Sequence, residues 1–577
     1  MKRHRPSLLI ETARTASPGK RIPAGGKHSA QEFSWTIVLA AGLIVLAAIM
    51  AYSNSLRCAF VFDDDIEIIN SASIRHLWPI RDVFVVQNEG RTALHGRPVA
   101  NLLVALNYAA VGLEPHNYHL TNLLVHILAG LTLFGLVRRT LLLPSLGERF
   151  AAAAMPLALA TALVWIVHPL GTAAVTYITQ RYESMMGLFY LLALYSVLRC
   201  GTSAHPHRWA AAAVAASLLG MGCKEVAVSI PLGILLYDRA FLAGSFREAL
   251  RRRWGMYVGL ASTWAAFAVL FAFSYSRTSW AGYGLPISWI EYARSQFGVI
   301  LHYLRLAFWP WPLVLDYAWP VARTAVEIVP GAVVIGGLVA ATAYALIRWP
   351  KWGFLGAWFF LILAPTSTVM PLADLAFEYR MYLPLAALIS GAVVGGYLAG
   401  EWLVRRRIVS LPRSQVIGGA LVIFASIAFG ILTFQRNVDY QSELSIWGDT
   451  VAKAPHNERA QYNFGHALAG CGRTDEAIDH YEIALRIAPN DSQAHNNMGV
   501  ALAKRGQIDE SIVHFRRALE LKPDYAGAHN NLGTALTRQG QVDEAIPHFR
   551  KALEIKPDFG EARRNLTAAL GMKEHAK

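Results

Sequence analysis

Three adjacent carboxylates, Asp63-Asp64-Asp65, follow Phe60-Val61-Phe62 directly after an apolar segment. Held together at the edge of a low-dielectric region, each raises the others' pKa, so something must compensate them. A divalent cation such as Mg²⁺ or Mn²⁺ could do so, as could an arginine, or one carboxylate could take a proton from an acceptor hydroxyl. A solvated acidic turn is the plain alternative. Downstream come Arg97-Pro98, Asn101, Asn107, His116, His119, Asn122 and His126. Positions 119, 122 and 126 have helical spacing and share a face. No second histidine or cysteine cluster completes a four-ligand zinc site, and whether any metal binds stays open.

Further charged residues sit at the ends of apolar runs: His168-Pro169, Arg181 and Glu183, Lys224-Glu225, and Glu378-Tyr379-Arg380. All fall on the face that carries the aspartates. An acidic group ringed by Arg and Lys suits a phosphate-bearing substrate whose tail stays in lipid, because guanidinium pairs bidentately with phosphate. For any one of these residues, snorkelling or a structural ion pair explains as much. Their shared sidedness favours a common site.

The elements that position them are hydrophobic. The chain has 577 residues, 54% hydrophobic and 16% charged, which is too apolar for a soluble globule and too long for one domain. Arg436 onward holds 18 basic and 19 acidic residues, leaving 35 basic and 20 acidic before it, so the apolar part carries +15. Those cations cluster between apolar runs, the positive-inside pattern, which argues against nucleic acid as the partner. The four cysteines, Cys58, Cys200, Cys223 and Cys471, show no paired spacing, which excludes a disulfide scaffold and a CxxC site.

Residues 1–34 read as a disordered basic cytoplasmic tail, and Trp35 to Tyr52 as an uncleaved membrane anchor. Ten more runs follow, at about 117–137, 152–170, 184–199, 208–223, 226–242, 254–275, 328–347, 353–370, 382–400 and 416–435. The stretch 287–312 is expected to be interfacial or re-entrant. Eleven spans over 35–435, with a large first outer loop at 53–116, put clusters such as Arg138-Arg139 and Arg405 to Arg407 in the cytoplasm. They put the C-terminal part, 436–577, on the opposite side.

That C-terminal part is periodic. Pro455, Pro489, Pro523 and Pro557 recur every 34 residues, as do Gly465, Gly499 and Gly533, and Tyr481, Phe515 and Phe549. This is the tetratricopeptide pattern, predicting repeats at about 458–491, 492–525 and 526–559 with a capping helix at 560–571. Asn463, Asn497, Asn531 and Asn565 keep the same period and would line the concave groove as an amide ladder for an extended peptide. The ladder resembles that of the nucleocytoplasmic N-acetylglucosaminyltransferase; equally, Asn belongs to the repeat consensus.

Taken together, Phe62-Asp63-Asp64, Arg97-Pro98, His119-Leu-Thr-Asn122-Leu-Leu-Val-His126, His168-Pro169 with Val175 and Arg181, Lys224-Glu225 and Glu378-Tyr-Arg380-Met-Tyr-Leu-Pro384, followed by the repeats, resemble the transmembrane and tetratricopeptide-repeat-containing O-mannosyltransferases and their bacterial relatives. The resemblance implies an all-α polytopic bundle of the C-type glycosyltransferase superfold followed by a solenoid. It implies transfer of a sugar, mannose in that family, from a polyprenyl phosphate to a hydroxyl of a protein bound by the repeats, outside the cytoplasm. The catalytic carboxylate would be Asp63 or Asp64, with Asp65 leaving the choice ambiguous. Arg181 and Arg380, backed by Arg97 and Lys224, would hold the donor phosphate, and His119, His126, His168, Glu225 and Glu378 would support the site. The short array fits a bacterial inner-membrane protein with periplasmic repeats better than one of the endoplasmic reticulum. The rival readings are a non-catalytic membrane scaffold for an envelope complex and a polysaccharide ligase or polymerase.

Overall fold

The computed structural model describes residues 35–84, 97–275, 287–369 and 371–575. The basic tail at 1–34 and the 85–96 part of the first outer loop lie outside the described residues. The chain is all-helical, as its sequence predicts, with apolar helices followed by a helical repeat array.

All eleven apolar runs fall on helices. Seven are long and apolar enough to cross a membrane, and an eighth crossing results if the bent pair Ala154–Ile166 and Pro169–Val175 counts as one. Pro206–Met221 and Pro350–Ala364 have 16 and 15 residues, short of the roughly 20 that a crossing needs. The stretch expected to be interfacial forms Trp289–Phe308, capped by Ser288 and Glu291, with Tyr292, Gln296, Val299 and Tyr303 on its buried face.

Small residues set how closely the helices pack. Trp35–Tyr52 buries Ala40, Ile44, Ala48 and Ala51 along one stripe, against Ala154–Ile166 and Leu411–Asp439, and turns Leu39, Leu43 and Leu46 outward. Close approach of backbones compensates for the lack of a hydrophobic drive between helices in lipid. At Pro169 a helix bends by 55°, because proline lacks the N–H the helix would use. The bend carries Thr172–Thr179 back under the acidic turn.

The repeats are three helix pairs, Glu458–Gly470 with Thr474–Ile487, Ser492–Arg505 with Ile508–Leu521, and Ala526–Arg538 with Val542–Ile555. Glu443–Lys453 leads in and Gly560–His575 closes the array. A Cβ on Gly499 or Gly533 would lie 2.7 Å from Phe515 or Phe549, so the period in the sequence marks where helices touch.

The array is seated on the bundle rather than tethered to it. Trp447 meets Phe62 edge-on at 5.1 Å, within a buried cluster of Cys58, Val61, Tyr177, Leu315, Tyr440, Ile446 and Ala460. Asn437 donates to the Ala51 carbonyl and to Asn54 and accepts from Thr176, at 2.7–3.0 Å. Repeats and aspartates therefore share one end of the bundle. His119, at the start of Pro115–Leu141, touches Cys58 at this end, so Arg138 and Arg139, at the other end of that helix, mark the opposite one. Trp447→Ala is expected to cost roughly 3–5 kcal/mol, as for other buried tryptophans, and to open the 439–457 segment to protease. Unchanged protection would show that the seating does not depend on this contact.

Candidate functional site

The three aspartates part company. Asp64 is 0% exposed. Its Oδ2 accepts from the Val61 N–H at 3.0 Å, and its Oδ1 accepts from the Thr179 N–H at 2.7 Å and from the Thr179 hydroxyl. Burial pushes its carboxyl up to about 7 against the pull of those bonds. Asp64 ties the acidic turn to the segment after the Pro169 bend, and has little room for a substrate. Asp65 is exposed and opens a short helical turn, Asp65–Ile69, facing His466 of the first repeat electrostatically.

Asp63 is half-buried. Burial raises its carboxyl to about 6, while the Tyr177 hydroxyl and the Arg459 charge pull it down. The Asp63 N–H donates to Tyr177 Oη at 3.1 Å, so this tyrosine holds both backbone and side chain. Of the three, Asp63 combines access with a proton affinity suited to base chemistry. Among the described residues no group of three or more His, Cys, Asp or Glu is placed to hold a metal ion, since the three carboxylates diverge.

Next to it lies a network of paired charges. Arg97 donates from Nη2 to Glu225 at 3.2 Å and stacks 4.0 Å over the Tyr182 ring, leaving its buried Nη1 without a hydrogen-bond partner. Lys224 is bonded to Glu183 and sits over the Tyr182 and Tyr379 rings at 5.3 and 4.7 Å. Tyr182 lies within electrostatic reach of Arg97, Glu183 and Asp63, and so joins the network to the carboxylate.

The two arginines read first as phosphate ligands are already engaged. Arg181 donates to Asn107 at 2.6 Å and to the Tyr118 carbonyl at 3.2 Å, with no exposed surface. Arg380 donates to Tyr292 and to the carbonyls of Leu375 and Asp374, at 3.3, 2.9 and 2.8 Å. Arg181 thus ties helices Pro98–Val111 and Pro115–Leu141 together, while Arg380 pins the 374–375 loop. Glu378 accepts from the Val314 N–H and from Tyr317, which holds the 312–317 loop in place.

The histidines are fasteners between segments. His119 meets the Cys58 carbonyl at 3.1 Å, His126 bridges Tyr382 and the Ile166 carbonyl at 2.8 and 2.9 Å, and His168 meets the Ala307 carbonyl at 3.1 Å. In the array, Asn497, Asn531 and Asn565 donate to Tyr462, Asn496 and Asn530 of the preceding repeat at 2.9–3.0 Å. These amides stitch neighbouring repeats and, like Asn463, stay half-buried. Much of the expected peptide-facing ladder is thus occupied with inter-repeat bonding.

Sequence reasoning missed Arg459, Asp316, Asp374, Tyr177 and Tyr182. Arg459, in the first repeat, pairs with Asp374 at 2.8 Å and Asp316 at 3.3 Å and faces Asp63 electrostatically. As a charged position on a solenoid surface, Arg459 carries no signal in the sequence. The spacing Tyr177, Thr179, Arg181, Glu183 just after a break at proline is the one pattern from which the 177–183 segment could have been singled out.

A bundle of apolar helices with buried ion pairs and an acidic turn at one end, capped there by helical repeats, defines a multi-pass membrane protein fused to a tetratricopeptide solenoid. The tetratricopeptide repeat family matches residues 457–524 and 490–558. The chain is similar to Protein O-mannosyl-transferase Tmtc3 of Drosophila melanogaster, 26% identical over 525 residues that cover 77% of this chain and 54% of that protein. It is also similar to Protein O-mannosyl-transferase TMTC1 of Homo sapiens, 26% identical over 538 residues (83% and 58%), and to Protein O-mannosyl-transferase F38B6.6 of Caenorhabditis elegans, 24% over 509 (84% and 67%). The family resemblance read from the sequence is supported: the chain is similar to proteins named protein O-mannosyl-transferases over most of its length. The chain spans about half the length of the first of these relatives.

Asp63 and Asp64 bind their protons more tightly folded than unfolded. What they contribute to stability is therefore full below the ordinary carboxyl value of 3.8 and is lost as pH rises through about 6 and 7. Asp63→Asn is expected to flatten the pH dependence of thermal unfolding between those limits; curves parallel to the parent's would contradict the burial described. Asp64→Asn, which turns an amide toward backbone N–H groups, is expected to destabilise by roughly 1–3 kcal/mol.

Proposed function

We propose that the chain transfers a sugar, mannose by analogy with its relatives' names, from a polyprenyl-phosphate donor to a hydroxyl of a polypeptide presented by the repeats. The observation that carries this is Asp63: a half-buried carboxylate with its proton affinity raised to about 6, set between buried cations on the bundle and Arg459 on the array. The acceptor oxygen attacks the anomeric carbon, its proton passes to Asp63, and the bond from that carbon to the phosphate oxygen breaks with its electron pair leaving on the phosphate. Arg97, with an unpartnered Nη1, and Lys224 meet the growing phosphate charge. Arg181 and Arg380 hold the surrounding helices and the 374–375 loop in place.

Sidedness belongs to the same proposal. The arginine-rich end of the bundle faces the cytoplasm by the positive-inside rule, which puts the acidic turn and the repeats outside it, in the periplasm of a bacterial inner-membrane protein.

The test uses the full chain in vesicles with a panel of polyprenyl-phosphate sugars and a serine- and threonine-rich peptide, reading the peptide's mass. Asp63→Asn is expected to lower transfer at least about a hundredfold while thermal unfolding stays cooperative. Parent-level transfer by that variant removes Asp63 as the base, and sugar loss from no polyprenyl donor removes the reading altogether. In the parent, kcat/KM should fall as pH drops below about 6, because protonated Asp63 accepts nothing further. Arg97→Lys keeps the charge but loses the fork, so kcat and kcat/KM are expected to fall together roughly tenfold, leaving the donor and peptide KM values unchanged.

A further inference from the structure

A cavity lies far from the aspartates. It has a volume of about 360 Å³, within the range of roughly 300–1,000 Å³ typical of ligand pockets. Its walls are apolar, with Leu136, Phe241, Phe354, Trp358 and Val394 from four different helices. Measured along Pro115–Leu141 from His119 to Leu136, it is about 25 Å from the acidic end, at 1.5 Å per residue. That distance puts it at the arginine-rich end of the bundle.

Its rim is cationic and aromatic. Arg149 and Lys351 line it, together with Trp349 and Trp352, which are exposed. Among the described residues, Arg149 and Arg405 share the one carboxylate of Glu401, at 2.7 and 3.6 Å, and Lys351 has no carboxylate partner, donating to the Ser145 carbonyl. Tryptophans beside cations mark the depth of lipid headgroups.

We infer that this cavity binds one anionic glycerophospholipid of the leaflet opposite the acidic site. An acyl chain fills the apolar interior, and the phosphate meets Lys351 and Arg149. Basic pockets between membrane helices recognise anionic headgroups on the side that positive loops face. A polyprenyl phosphate held at Asp63 sits at the other end of the bundle, so this site and the transfer site are separate.

The test is native mass spectrometry and thermal unfolding of the full chain after exposure to mixed micelles of phosphatidylglycerol and phosphatidylcholine. The expected result is one phosphatidylglycerol retained per chain, with phosphatidylcholine washed away. Lys351→Gln should weaken retention roughly fivefold, the worth of one cation near a headgroup. Val394→Trp, which fills the cavity, should abolish retention, and Leu398→Trp serves in its place if that variant unfolds early. Equal retention of both lipids, retention undiminished in the filled variants, or displacement of the lipid by a polyprenyl phosphate each overturns the inference.

Discussion

A carboxylate at the edge of a hydrocarbon slab is stable only when its lone pairs are filled, and the region around Asp64 is organised by that demand. Two backbone N–H groups and one hydroxyl converge on it, one from its own turn and two from Thr179. Meeting the demand requires the segment after Pro169 to run beneath the acidic turn, which is what the 55° bend achieves. Once Asp64 is fixed inward, the chain sets its neighbours apart. Asp63 turns to Tyr177 and Arg459, and Asp65 turns to solvent. The committed carboxylate thus positions the available one.

The same turn explains why the repeats sit where they do. Phe62 presents an edge to Trp447, its N–H donates to Glu443 at 3.2 Å, and Arg459 reaches down between Asp374 and Asp316. The Phe62 contacts adjoin Asp63 in the chain, and Arg459 and Asp374 act on its carboxyl electrostatically. A polypeptide lying along the groove would meet the bundle beside Asp65, Glu443 and His466, so rigid seating converts capture into local concentration at the carboxylate. A flexible linker would have given much less of that gain, since its ends sample far more space.

How much of this was legible in the sequence follows from what each signal reports. Period 34 in proline, glycine and aromatic residues reports helix contacts within the array, so the repeats and their boundaries could be read directly. Apolar runs report helices, and all eleven are helical, yet they do not report bends: one helix turns by 55° at Pro169 inside the run at 152–170. Charged residues at run ends gather around the acidic turn, but their sequence does not tell each one's duty. Arg181, Arg380 and His126 look the same on paper as Arg97; packing alone shows that the first three are spent on backbone carbonyls and buried side chains. Arg459 was invisible because its partners, Asp316 and Asp374, lie more than 80 residues away in the chain.

Pairing of nearly all cations at the acidic end bears on how a phosphate could be used there. Arg97 shares Glu225 and Lys224 shares Glu183, so neither offers a bare positive charge to a ligand. A phosphodiester donor would carry one negative charge, whereas the phosphate monoester that the proposed transfer would release approaches two near neutral pH. Cations restrained by carboxylate partners hold the first species weakly and respond more strongly to the second, so their contribution grows as the bond breaks. Unpaired arginines would grip donor and product alike, which deepens the ground state without lowering the barrier. Buried ion pairs around an incompletely bonded guanidinium are thus better suited to a leaving group whose charge increases than to tight capture of the intact donor.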